Sequence, residues 1–283
     1  ANIIWKCEPL LLSLSKIKTV VMPYGSDIQI LDETPNLYFK HCMVQDYPLH
    51  KNRYNRMHAQ KKLWTSNADA VIGGCDWVDY LYHWDYLLVA HFSIDMGAVS
   101  AIASNAKKLP PINKHVNPKP FIVLHAPNHR SIKGTPYVVA AIDELRAEGL
   151  NVQLVLAEKM ANELIIQLIQ QADLVIDQLV IGWYAMFAIE AMTLRKPVIC
   201  CLREDLLNLY RSAGLIDLSE PPLINANALT IKSVIRECIN GDIDIDSYGV
   251  KGYDYIKKTH SLQAIGNVFD QINRSIGIEP TKF

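Results

Sequence analysis

The chain has 283 residues, half of them hydrophobic and a fifth charged, with a formal net charge of −1. That length supports one large core or two of ordinary size, and the composition excludes a disordered, collagenous or fibrous chain. A balance so close to neutral gives no global attraction to nucleic acid, and no nucleic-acid partner is expected.

Six cysteines are scattered without a Cys-x-x-Cys pair, Cys200 and Cys201 being adjacent, and the nine histidines show no His-Glu-x-x-His spacing. Neither a disulfide framework nor a metal site is expected, and reduced thiols fit a cytoplasmic protein. The most apolar stretch, residues 174–192, is interrupted by Asp177, Gln178 and Glu190, so no membrane-spanning helix is expected.

In chain order, ANIIWKC (1–7) reads as a strand, PLLLSLSKI (9–17) as a helix and KTVVMPY (18–24) as a strand. The segment MPYGSDIQ carries Tyr24, Gly25, Ser26 and Asp27 past that strand. Gly25 permits a tight turn, while Ser26 and Asp27 offer capping oxygens. A structural loop explains all four; placed in a cleft, Asp27 binds an acceptor hydroxyl. HKNRYNRMHAQKK (50–62) concentrates Lys51, Arg53, Arg56, Lys61 and Lys62 without an acid. Two readings are open: a solvated helix face, or peripheral docking against anionic lipid headgroups.

ADAVIGG (68–74) and YLLVAHF (86–92) are further strands, so residues 1–106 read as a partial Rossmann-like domain. KKLPPINKHVNPKP (107–120), with four prolines and no apolar period, reads as a linker. Strand and helix then alternate: strands at 121–125, 151–157, 173–177 and 196–201, helices near 136–148, 160–171 and 186–194. This pattern predicts βαβ units and a second Rossmann-like domain over 121–252, with its ligand cleft beyond the carboxyl ends of the strands. Residues 253–283 read as a helical segment packing across both domains.

Two connections in this second half carry candidate chemistry. FIVLHAPNHRSIKGTPY puts Arg130, Lys133 and Gly134 ahead of Thr135-Pro136, a hydroxyl N-cap followed by a pre-set helical φ. Cations, a glycine and free helix amides together favour phosphate, although a solvated turn with incidental cations is the plainer account. DQLVIGWYAMFAIEAM places Asp177 and Gln178 at a strand end, and Gly182, Trp183, Tyr184, Ala185 and Met186 before a helix that carries Glu190. Glu190 can accept hydrogen bonds from a sugar diol, or simply complement the helix N-terminus. Trp183 and Tyr184 either line a pocket or wedge the loop.

ADLVIDQLVIGWYAMFAIEAMTLRKPVICC, with its Glu-Ala-Met helix before a Lys-Pro-Val-Ile strand, resembles the GT-B glycosyltransferases of the group 1, or family 4, retaining type. ADAVIGGCDWV followed by HFSID, and SIKGT, are similar to that family in order and spacing, from about Lys18 to Ile276. The resemblance implies two Rossmann-like domains (GT-B), the N-terminal one incomplete because its first βαβ units and glycine-rich loop would precede Ala1. It also implies transfer from a nucleotide-sugar to a glycan, lipid-linked or other glycoconjugate acceptor with retention, in polysaccharide or glycolipid assembly and without a metal cofactor. By position, Arg130 and Lys133 would neutralise the diphosphate. Glu190 would hold the ribose, and Gly134, Asp177, Gln178 and residues 182–186 would complete the donor site. Tyr24, Gly25, Ser26 and Asp27 would face the acceptor.

The sequence departs from the family at three places: Gly182 replaces the first of two glutamates eight positions apart, Pro127 and Asn128 stand where an arginine is usual, and Tyr24 replaces a histidine. These departures suit the alternative, a non-catalytic nucleotide-binding or interaction protein with a degenerate GT-B fold.

Overall fold

A computed structural model describes residues 4–105, 112 and 118–279. The chain divides into two compact units, one of Ala1–His91 with Ile265–Phe283, the other of Phe92–Ala264. Most of the linker expected over 107–120 lies outside the described residues. No described helix is long and apolar enough to cross a membrane, and all six cysteines are free thiols.

The first unit contains α1 (Glu8–Leu14), β1 (Val20–Val21), α2 (Leu37–Asp46), α3 (Tyr54–Thr65), β2 (Ala70–Gly74) and β3 (Tyr86–Leu88). Its three strands are parallel in the order β1-β2-β3. The strand expected at the start is absent from the described part of that segment: Ile4–Lys6 form a 3₁₀ turn leading into α1. Pro9, near the α1 N-terminus, has its φ pre-set for the helix, which outweighs the short apolar run before it.

The second unit contains α4 (Met96–Ser104), β4 (Phe121–His125), α5 (Arg130–Lys133), α6 (Thr135–Ala147), β5 (Val152–Leu156), α7 (Asn162–Gln171) and β6 (Leu174–Ile176). After these come α8 (Met186–Thr193), β7 (Val198–Cys200), α9 (Glu204–Ser212), β8 (Ile224–Asn225), α10 (Ile231–Asn240) and α11 (Ile245–Thr259). Its five strands are parallel in the order β5-β4-β6-β7-β8. β6 and β7 are buried throughout, as strands covered on both faces must be. On one face Val138, Ile142 and Leu145 of α6, with Ile231 and Ile235 of α10, pack on Val123, Leu174, Ile176, Ile199 and Ile224. α7 and α8 contact the strands elsewhere, with α4 against both helices and α11 against α8.

Two boundaries therefore differ from those read in the sequence. α4, grouped there with residues 1–106, belongs to the second unit because it packs on α7 and α8. The segment 253–283 is shared: residues through Ala264 belong with the second unit, and the remainder of α12 (Leu262–Ser275) belongs with the first. There Ile272, Val268 and Phe269 cover Ala70, Ile72 and Leu88.

α11 approaches the turn after α8 so closely that a Cβ on Gly249 would lie 2.2 Å from the Arg195 carbonyl oxygen. Alanine is the better helix former by about 1 kcal/mol, but a backbone oxygen cannot move aside as a side-chain tip can. Gly249→Ala is expected to cost about 1–3 kcal/mol in urea-induced unfolding. Gly266→Ala, on an exposed turn of α12 with nothing within 4 Å, should instead be neutral or stabilising by up to about 1 kcal/mol.

Candidate functional site

Numbered within the second unit alone, its strand order is 2-1-3-4-5, the doubly wound arrangement whose switch point falls between first and third strands, here β4 and β6. In this arrangement the connections that leave the two strands diverge, and the ligand crevice lies at their carboxyl ends. They carry Lys133 and Asp177.

Lys133 Nζ lies 2.6 Å from Asp177 Oδ1, with side-chain exposures of 10% and 0%. Asp177 Oδ2 accepts from the Ala185 N–H at 2.9 Å, immediately before α8. One carboxylate thus joins the β4 connection to the start of α8. The first amides of α8, on Met186 and Phe187, have no acceptor within the helix. Gly134 follows Lys133 in the left-handed region at φ 75°, and a Cβ there would come within 2.9 Å of Leu179. Only glycine satisfies both demands.

Thr135 is not the N-cap that the sequence suggests. Gly134 occupies that position, and the buried Thr135 hydroxyl meets His125 Nε2 at 3.0 Å. The Ile176 carbonyl lies 2.8 Å from His125 Nδ1, so Nδ1 carries the proton and donates to it, while Nε2 accepts from Thr135. Burial pushes this imidazole down to about 4, and the nearby Lys133 charge acts in the same direction. His125 has no motif to reveal it; its polarity at the end of an apolar strand was the only signal.

Arg130 is held otherwise. Its Nε and Nη2 donate to the two carboxylate oxygens of Glu158, each at 2.8 Å, with the Arg130 side chain 59% exposed. Glu158 follows β5, so the fork lies on the same carboxyl edge of the sheet. Arginine holds the Glu158 carboxyl below its usual range. Glu190, in the second turn of α8, is half-buried and accepts from Asn162 Nδ2 at 2.9 Å. Burial pushes its carboxyl up, and the Asp177 charge adds to the rise. Neither Glu158 nor Asn162 was identifiable without knowing which strand ends are adjacent.

Four donor-side expectations need correcting. Gln178 is fully buried and builds the loop: its Nε2 donates to the carbonyls of Trp183 and Cys201 at 2.8 and 3.0 Å, and its Oε1 accepts from Val180 and Ile181 N–H at 2.8 and 2.7 Å. With both ends of its amide committed, it is a loop brace and not a ligand contact. Trp183 and Tyr184 are core residues, 1% and 2% exposed. Trp183 packs on Tyr210 with ring centroids 4.8 Å apart, and the Tyr184 hydroxyl meets Tyr255 and His260, each at 2.8 Å. Gly182 has φ 98°, and a Cβ there would lie 2.4 Å from both Cγ and Cδ of Arg203. The Arg203 stem fills the space beside residue 182, and its guanidinium turns to Asp205.

Tyr24, Gly25, Ser26 and Asp27 form a separate group in the first unit. Gly25–Asp27 make a 3₁₀ turn beyond β1. Arg53 reaches Asp27 Oδ1 at 2.8 Å and Ser26 Oγ at 3.4 Å, and the Tyr24 ring lies 5.1 Å from Trp77. Among the described residues no group of three or more His, Cys, Asp or Glu side chains is arranged to hold a metal ion.

No protein-family model matches the sequence, and no curated protein matches it. Solved structures do match. Sucrose-phosphate synthase from Thermosynechococcus elongatus is 16% identical at a TM-score of 0.61, over 94% of this chain and 70% of its own. HepE from Anabaena, solved in complex with UDP-glucose, is 14% identical at a TM-score of 0.59, over 95% of this chain and 75% of its own. WaaG, a glycosyltransferase involved in lipopolysaccharide biosynthesis, is 14% identical at a TM-score of 0.52, over 89% and 74%. The chain has the GT-B fold. Within that fold, the five-stranded second unit supplies the β4–β6 crevice just described, and the first unit shows three strands among its described residues.

His125 makes the second unit sensitive to acid. The unfolded chain takes up a proton near pH 6.5, whereas the folded imidazole resists protonation until about pH 4. Its stabilising contribution is therefore complete above 6.5 and is lost as pH falls through 4. Lowering the pH from 7 to 5 is expected to cost about 2 kcal/mol through this residue. Urea unfolding of His125→Asn should show lower stability at pH 7 but a smaller loss by pH 5; equal slopes in the two proteins would refute the assignment.

Proposed function

We propose that the second unit binds a nucleotide-sugar and that the chain is a glycosyltransferase acting with retention on a glycan, lipid-linked or other glycoconjugate acceptor. The observation that carries this reading is the Lys133–Asp177–Ala185 connection, which fixes a cation and a helix N-terminus together at the switch-point crevice. Support also comes from the fold shared with HepE, which was solved with UDP-glucose.

The two cations have different tasks. The Arg130–Glu158 pair is exposed, and such pairs contribute about 0–1 kcal/mol. A diphosphate, offering more negative charge and more acceptor oxygens, displaces Glu158 and takes the fork. Lys133 remains with Asp177, because parting a buried pair costs about 3–5 kcal/mol; the pair is close to neutral, and its part is to hold the first α8 amides in place. Charge that grows on the departing diphosphate is met by these groups without a metal cofactor. Glu190, already half-desolvated, accepts the ribose hydroxyls, whose donation favours the charged carboxylate. A cytoplasmic setting and a place in surface-polysaccharide or glycolipid assembly belong to the same proposal.

A second reading, binding without transfer, is favoured by one observation: the Arg203 stem occupies the place of a residue-182 side chain, so no carboxylate there can meet the donor sugar.

Calorimetric titration with UDP should show binding that Arg130→Ala weakens about tenfold, with thermal unfolding unchanged because the residue is exposed. Unaltered UDP affinity in Arg130→Ala would overturn the donor assignment. Release of UDP from UDP-glucose or another UDP-sugar by the wild-type chain selects transfer; binding with no release under any acceptor tested selects the second reading.

A further inference from the structure

The second unit carries a further cavity at the edge of its sheet opposite the donor crevice. About 390 Å³ in volume, it lies at the amino ends of β4, β6 and β7, beside the first turn of α11. Its charged groups are Lys119, Asp173, Arg195, Lys196 and Asp246. Ligands of such sheets ordinarily bind at the carboxyl edge, so the donor site does not explain three cations gathered here.

Arg195 stands where the backbone calls for glycine. The Lys196 N–H returns to the Ala191 carbonyl and the Arg195 N–H to that of Met192, each at 3.0 Å, the paired bonds that close α8. That closure puts residue 195 in the left-handed region at φ 57°. In the same unit α6, α9 and α10 close with the same pair of bonds, on Gly149, Gly214 and Gly241. Glycine takes this conformation freely and arginine does not, so the side chain is kept against a local cost. Among the described residues its guanidinium has no hydrogen-bond or ion-pair partner; it lies over the Tyr253 ring, 3.8 Å from the centroid. Stacking occupies the face of the guanidinium and leaves the N–H groups in its plane to a guest.

The neighbouring charges are partly committed. Lys119 reaches Asp173 Oδ1 at 3.4 Å and is 62% exposed. Lys196 donates to the Ala172 carbonyl at 2.9 Å, and burial lowers its ammonium from the ordinary value. Each ammonium has three donors, so both keep some for a guest. Of the two acids, Asp173 also accepts from the Ile122 N–H at 2.8 Å. Asp246 is exposed in the first turn of α11, where the helix amides offset its charge.

We infer that this cavity binds a small organic phosphomonoester, its phosphate on Arg195 with Lys119 and Lys196 adding charge, and its carbon part against Pro197 and Ile245. Paired N–H groups of a guanidinium match paired phosphate oxygens. The volume is near the lower end for ligand pockets, about 300 to 1,000 Å³, and suits a guest of a few carbons. The inference does not depend on the function proposed above.

The test is calorimetric titration of the whole chain with glycerol 3-phosphate, inorganic phosphate, sulfate, and vesicles containing phosphatidic acid. Glycerol 3-phosphate should bind more tightly than either inorganic anion, with or without saturating UDP. Arg195→Ala should weaken it at least about tenfold. Arg195→Gly should weaken it as much while its thermal midpoint stays near that of wild type, since relief of the backbone offsets the lost stacking. Asp246→Asn should tighten binding, and Arg130→Ala should leave it unchanged, which separates this cavity from the donor crevice. The inference is overturned if glycerol 3-phosphate does not bind, if sulfate or inorganic phosphate binds equally well, or if vesicles alone are bound. It is equally overturned if UDP or Arg130→Ala abolishes binding, or if both Arg195 variants bind as wild type does.

Discussion

A buried ion pair fixes the geometry of the second unit's crevice. Lys133 and Asp177 come from connections that leave neighbouring strands, and the second oxygen of the aspartate takes the amide ahead of α8. The pair adds little net stability, since both groups lose their water. What it provides is position, because neither partner can leave without exposing the other, uncompensated, to a medium of low polarity. His125 braces the same corner from below, bonded across to β6 and up to Thr135. A cation, a strand end and a helix N-terminus are thereby held in one arrangement before any ligand arrives.

Around this fixed centre, exposure separates groups that yield from groups that do not. Arg130 and Glu158 make a well-aligned fork, yet solvent screens it, so the pair is weak. Glu190 is intermediate: half-buried, raised by desolvation and steadied by Asn162. Gly182 shows the converse, a place where a side chain is excluded because Arg203 already lies there. The first unit repeats the principle, with Arg53 and Lys61 tied to acids and Arg56 without a hydrogen-bond or ion-pair partner among the described residues. In both units a carboxylate holds a cation in place.

The amino-acid order by itself determined the α/β alternation of the second half, since apolar runs such as FIVLH and LVI separated by helix-length segments admit few other folds. It also marked Lys133, Gly134, Asp177 and Glu190, because residue type and adjacency to a strand end are local properties. Only the tertiary structure decided which candidates are available. Gln178, Trp183 and Tyr184 look like cleft residues in sequence, but they are consumed by loop bracing and aromatic packing. Glu158, Asn162 and Arg203 had no local signal, since each acquires its partner through strand order or loop packing between segments distant in sequence. Periodicity reports which face of an element is apolar; which strand lies beside which, and therefore which charges meet, is settled when the sheet assembles.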